Sequence, residues 1–223
     1  MPPPVPATII RSRRRTISLE VTKEATLIVR APLRAPVQVI DRFIREKQDW
    51  IERKLADARS RPAAPHRQFA NGELFLFLGK TFPLEVLPES DAGISLGEKF
   101  YVGESRLPAC RDLLRAWYVQ RALEIFPARV AGFAAILDYR PKKIRVSDTR
   151  RRWASCSTSG TLSFCWRLVL APPEVIDYVI VHELVHMRQP DHSPRFWEKV
   201  GQAMPKYKEH REWLRTHERM LEL

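Results

Sequence analysis

The sequence predicts an α+β protein, with a β-rich N-terminal lobe over residues 1–105 and a mostly helical C-terminal lobe over residues 106–223. Three observations predict it. Short apolar runs cut by turn residues crowd the first half, and apolar residues at helical spacing fill the second. The composition, 44% apolar and 29% charged, suits a packed core and excludes wholesale disorder.

The elements follow in order. Ile17, Leu19 and Val21 alternate with polar residues, and Leu27 and Val29 resume after the polar break Lys23-Glu24, which predicts a hairpin. Beyond Ala35-Pro36, apolar residues fall at Val39, Ile40, Phe43, Ile44, Trp50, Ile51 and Leu55, so one amphipathic helix is expected over about residues 36–59. Residues 60–65, with two prolines, read as a short linker. Between 69 and 102, apolar runs alternate with Asn71-Gly72, Gly79-Lys80 and Gly97, the pattern of strands and turns. Residues 106–138 then carry Leu113, Leu114, Trp117, Tyr118, Ala122, Ile125, Phe126 and Val130 at helical spacing. Strands are expected over 143–147 and 161–164. Pro172-Pro173 suits the first turn of a helix, where amide hydrogens lack partners anyway, and that helix should run to about Arg188. Two further helical patterns occupy 193–204 and 206–222.

Several classes are excluded early. No apolar run approaches the roughly 18 residues of a membrane span. The opening MPPPVPATII precedes the basic RSRRR, the reverse of a signal peptide's order, so a cytoplasmic protein is expected. Three cysteines without a CxxC pair argue against a disulfide framework or a zinc ribbon. The net charge of +12 is uneven, with 12 basic against 4 acidic side chains over 106–152. Basic segments at 11–15 and 140–152 suit nucleic acid, nucleotide phosphates or an acidic surface, or are simply solvated loops.

The most informative stretch is His182-Glu183-Leu184-Val185-His186, with His192 six residues on. Residues four apart on a helix share a face, so both imidazoles project toward one point, with Glu183 close enough to reach a water there. Two imidazoles, a third ligand and an open position are what a catalytic Zn²⁺ requires. With 6 His and 17 Glu in the chain, this spacing arises by accident only about 0.01 times. The flanking residues Val175, Ile176, Val179, Ile180, Val181, Leu184 and Val185 make the helix apolar nearly all round, hence buried. A buried carboxylate between two buried histidines is costly unless a cation compensates it. His192 is the leading third ligand, past a helix end at Gln189-Pro190, with Asp191, Glu198, Glu209 and Glu212 as rivals. Gln189 stands where proteases with the same six-residue step carry glycine.

The motif extends well beyond the helix. Trp153-Ala-Ser-Cys156, Gly160, Cys165-Trp-Arg-Leu168, Pro172-Pro-Glu174, Val181-His-Glu-Leu-Val-His186, His192-Ser193 and Phe196-Trp197 closely resemble the YgjP-like metallopeptidases, relatives of the SprT-like zincins. The N-terminal hairpin, Asp49-Trp50-Ile51 and the closing Tyr207-Lys-Glu-His-Arg-Glu-Trp213-Leu214 match as well, so the resemblance spans almost the whole chain. It implies a zincin-like C-terminal lobe, one Zn²⁺ on His182, His186 and His192, and Glu183 as general base. Two positions depart from the family pattern: Ala154 replaces the usual glycine, and Cys165 the usual asparagine before Trp166.

A zinc metallopeptidase acting on polypeptides is therefore the leading expectation. A nucleoside triphosphate (UTP) pyrophosphatase on the same metal site is the enzymatic alternative, since both chemistries need an activated water, a base and a nearby cation. A nucleic-acid-associated protein with a structural metal is the alternative of another class. Arg151, Arg152, Trp153 and Ser155 are the candidate substrate-binding residues. The arginines suit phosphates or an oxyanion, and the stretch around Ser155 suits an extended peptide added as a strand, with Trp153 and Trp166 as packing residues otherwise.

Overall fold

The computed structural model describes residues 7–22 and 24–223; residues 1–6 of the opening segment and Lys23 of the expected polar break lie outside it. The chain divides into two compact units, residues 1–63 and 64–223.

The first unit is a three-stranded sheet with two helices. β1 (Ala7–Ser12), β2 (Ser18–Val21) and β3 (Leu27–Pro32) are ordered β1-β3-β2. The expected hairpin is present, with Leu19 opposite Val29 and Val21 opposite Leu27. β1 adds in parallel on the far side of β3. The alternating residues Leu27, Val29 and Ala31 of β3 are buried with Ile40, Ile44, Ile51 and Leu55, so this unit has its own small core. Those last four residues lie on two helices, α1 (Val37–Glu46) and α2 (Gln48–Ser60), not on one. Lys47 leaves the helical region at φ −107° and ψ 13°, and its amide turns back to the Ile44 carbonyl at 3.2 Å. This tight turn re-aims the second half of the apolar face without interrupting its spacing.

The second unit begins with β4 (Leu74–Phe77), β5 (Lys80–Leu87), β6 (Ser95–Leu96) and β7 (Phe100–Gly103), ordered β4-β5-β7-β6. A 3-10 turn leads into the long α3 (Cys110–Ile136). β8 (Lys143–Ser147), β9 (Ala154–Cys156) and β10 (Thr161–Cys165) form a second sheet ordered β8-β10-β9. α4 (Pro173–His186), α5 (Pro194–Ala203) and α6 (Tyr207–His217) complete the unit. No helix among the described residues is long and apolar enough to cross a membrane.

One core serves all of these elements. Leu114, Tyr118, Ala122, Phe126 and Val130, one face of α3, are buried with Ile176, Ile180 and Leu184 of α4 and with Phe75, Leu84, Phe100 and Val102 of the first sheet. The compact units therefore part at residue 63, and not near 105 where the sequence changes texture. Gly79 makes the join close. It sits at φ +75°, and a Cβ there would fall 2.9 Å from the Cα of Pro172, the residue that opens α4.

Candidate metal centre

α4 behaves as its sequence demands. Pro173 occupies its first turn, and nine of its residues, including Val179, Ile180, Val181 and Leu184, are buried. The four-residue step turns His182 and His186 to the same side, with Nε2 atoms 3.1 Å apart. The chain then reverses. Pro190 cannot continue the helix, and the Gln189 side chain donates to Asp191 Oδ1 at 2.8 Å and to Ser193 Oγ at 3.3 Å, holding the turn that leads into α5. Gln189 is not among the described residues with positive φ, so the position that carries glycine elsewhere needs none here.

The reversal delivers His192 to the pair, its Nε2 lying 3.1 Å from that of His182 and 3.2 Å from that of His186. Among the described residues, these three form the one cluster of potential metal donors this compact. Three rivals are engaged elsewhere, Asp191 with Gln189 and Ser193, Glu198 with Gln202, and Glu212 with Arg215, and the fourth, Glu209, is outside the cluster. His66, His210 and His217 are outside the cluster.

The donor set fits a tetrahedral ion. Three nitrogens at a Zn–N distance of about 2.0–2.1 Å stand roughly 3.3 Å from one another, close to the spacing found. The tautomer fits too. His186 Nδ1 donates to the Gln189 carbonyl at 3.0 Å, so its Nε2 carries a bare lone pair pointing into the cluster. Burial, reinforced by His186, His192 and the charge of Arg211, depresses His182 to about 3, so its ring is neutral.

Glu183, 7% exposed, is one of two buried charged residues among the described residues. Burial pushes its carboxyl up to about 7, against the pull of the Arg152 charge and of a hydrogen bond from the Cys156 amide. A cation on the neighbouring imidazoles would draw it back down.

That amide belongs to β9, an edge strand of its sheet. The Trp153 carbonyl accepts from the Cys165 amide at 2.7 Å, and the Ser157 amide donates to the Thr161 carbonyl at 2.9 Å. Alternation then turns the backbone groups of Ala154 and Cys156 to the open edge. Beyond Cys156 the strand turns at Gly160, whose φ of +78° suits only glycine readily.

Two hollows meet at the centre. A cleft of about 740 Å³ is lined by Arg140, Lys142, Arg152, Ser155, Arg188 and His192 among others. A smaller one of about 310 Å³ is lined by Trp153, Tyr178, Val179, Arg211 and Leu214. His182, Glu183 and Ala154 line both. Of the residues expected from sequence, Arg152 and Ser155 face the large cleft and Trp153 the small one. Arg151 is exposed and lines neither. Cys165 is outside the cluster and buried, and Arg167 points at its sulfur from 3.7 Å.

Sequence reasoning missed Tyr178 and Arg211. Tyr178 precedes His182 by one helical turn and meets its ring edge-on at 5.9 Å, a placement the four-residue step could have given. Its phenol is pushed up to about 12, chiefly by burial, so it stays protonated. Arg211 stacks 4.7 Å over Trp197, a placement that depends on how α6 packs.

A family model described as the YgjP-like metallopeptidase domain matches residues 15–217. No protein of curated function matches the chain. Among solved structures, the metallopeptidase zymogen of Pyrococcus abyssi abylysin is similar at 23% identity, over 42% of this chain and 95% of that one, with a TM-score of 0.39. At that score the likeness adds nothing to the family match.

Proposed function

The chain belongs to the YgjP-like metallopeptidase family, and from that premise we propose that it is a zinc-dependent peptidase with His182, His186 and His192 as ligands and Glu183 as general base. The observation that carries this reading is the convergence of three imidazole Nε2 atoms within 3.2 Å of one another, next to a buried carboxylate. Zinc bound there would supply Lewis acidity and bring the pKa of a coordinated water toward about 7.

The chain's own residues do the rest. Glu183, aimed by the Cys156 amide and faced by Arg152, accepts the proton of the attacking water and returns it to the leaving amine. The open edge of β9 offers the backbone groups of Ala154 and the Cys156 carbonyl to an extended peptide, which fixes the scissile bond over the imidazoles. Tyr178, a protonated phenol, and Arg211 line the small hollow beside His182 and can donate to the oxyanion that forms as the carbonyl is attacked. A purely structural metal would call for a fourth protein ligand, and Cys156 is not part of the cluster.

A second reading rests on one observation. Arg140, Lys142 and Arg152 in the large cleft would also suit the phosphates of a nucleoside triphosphate. The two readings separate in a single experiment. Zinc-loaded protein is incubated with an unfolded casein-type polypeptide and, in parallel, with UTP. New peptide termini without pyrophosphate release are the expected result; pyrophosphate release without any polypeptide cleavage favours the phosphoanhydride reading.

A further inference from the structure

The two hollows differ in charge, and β9 gives that difference a direction. The large cleft carries Arg140, Lys142, Arg152 and Arg188, with Lys142 beside the turn at Gly160 past Cys156 and Arg152 next to Trp153 at the other end of β9. Arg188 is engaged by Asp138, through its carbonyl and through a carboxylate oxygen at 3.2 Å. Arg140 and Lys142 make no ion pair among the described residues, and the charge of Arg152 acts on Glu183. The backbone holds one of these cations in place: the Lys142 amide donates to the Gly160 carbonyl at 2.9 Å, fixing the approach to β8 beside the β9–β10 turn. On the side of Trp153, the small hollow offers Trp153, Val179 and Leu214; its Arg215 pairs with Glu212, and its one other cation, Arg211, stacks on Trp197 beside His182 where the oxyanion forms.

β9 runs from Ala154, which touches both hollows, to Cys156 at the large cleft. It already pairs antiparallel with β10, and an added strand gains most by continuing the antiparallel arrangement. A peptide laid antiparallel on its free edge runs, N to C, from the large cleft toward the small hollow. Its residues before the scissile bond then face Arg140 and Lys142, and the residue after it faces Trp153, Val179 and Leu214. We propose that the protein selects polypeptides carrying acidic side chains on the N-terminal side of the cleaved bond. The inference rests on the metallopeptidase reading and adds the substrate class and its polarity.

The test uses the full-length zinc-loaded protein and a mixed peptide library, with cleavage sites read by mass spectrometry. Asp and Glu should be enriched in the two or three positions before the cleaved bond and not after it. In the double variant Arg140→Gln, Lys142→Gln, that enrichment should collapse, with a roughly fivefold to tenfold rise in KM for a Glu-rich substrate, the size expected for two solvent-exposed charge contacts. No enrichment, enrichment only after the cleaved bond, or an identical profile in the double variant overturns the proposal. A second readout keeps it separate from catalysis. Glu183→Gln protein is titrated with a fluorescent Glu-rich peptide and with its Gln-rich counterpart. Tighter binding of the Glu-rich peptide, lost in the Arg140→Gln, Lys142→Gln background, supports the charge selection. Equal binding of the two peptides overturns it. If the library is left uncut while this binding preference stands, the peptidase reading is the part that fails.

Discussion

Two polar clusters lie within the second unit, and they solve opposite problems. Around Arg167, 6% exposed, the charges are paired off, although its Nε makes no hydrogen bond. Its guanidinium meets Asp148 at 2.7 Å and lies 4.5 Å over Trp166, while Asp148 also accepts from Trp166 Nε1 at 2.8 Å and from Arg115 at 2.6 Å. Around His182 the polar atoms converge instead of pairing off. Three Nε2 atoms face one another, and Glu183 is buried with one amide and one arginine to answer its charge. Burial of charge is common to both, so burial alone does not mark a site. Convergence of lone pairs on a shared point does, because only a cation satisfies all three at once.

The contrast can be broken by substitution. The largest effect should come from Glu183→Gln. The amide keeps the volume of the side chain and is not a ligand, so fold and zinc content should persist while the rate of polypeptide cleavage falls about a thousandfold. A wild-type rate in this variant would remove Glu183 from the role of base. Tyr178→Phe should come next. It deletes one oxyanion donor and should lower kcat by about a hundredfold with little change in KM; a change confined to KM would make Tyr178 a binding residue only.

The paired cluster should answer in stability and leave the metal alone. Asp148→Ala leaves the buried Arg167 with Glu222 at 3.7 Å as its one ion-pair partner among the described residues, and should cost about 3 kcal/mol in denaturant unfolding without altering zinc content. Unchanged stability would mean that the cluster is dispensable to the fold. The smallest effect is in acid. Although partial burial works the other way, hydrogen bonds from Arg115 and Trp166 and the Arg167 charge hold Asp148 below the usual carboxylate range. Its folded pKa is thus lower than its unfolded one, so its contribution is complete above about pH 4 and is lost as pH falls through the lowered value. Thermal unfolding followed from pH 6 to pH 2 should show this loss in the wild type and a shallower one in Asp148→Asn.

How legible each region is from sequence follows from the range of the interactions that build it. His182 and His186 are legible because a four-residue step is a property of the helix itself. His192 is half legible: Pro190 announces a reversal, but the contacts of Gln189 with Asp191 and Ser193 decide where the reversal points. Arg211 is not legible, since its place beside His182 depends on how α6 packs. The same limit applies to the fold. The β2–β3 hairpin is visible in alternation, whereas the parallel pairing of β1 with β3 joins segments with no shared pattern. The break at Lys47 carries neither glycine nor proline, and the apolar spacing runs straight through it. Phe75, Leu84, Phe100 and Val102 read as members of a β-rich lobe, yet they fill the core beneath α3. Texture reports local structure, and the partner of an apolar face lies beyond it.

Zinc content per chain, measured by elemental analysis on purified wild type, His192→Ala and Glu183→Gln, tests the central claim most directly. About one zinc is expected in the wild type, the same in Glu183→Gln, and most of it gone in His192→Ala, as three imidazole ligands and a non-ligating base require. Equal zinc in all three proteins, or loss in Glu183→Gln with retention in His192→Ala, would contradict it.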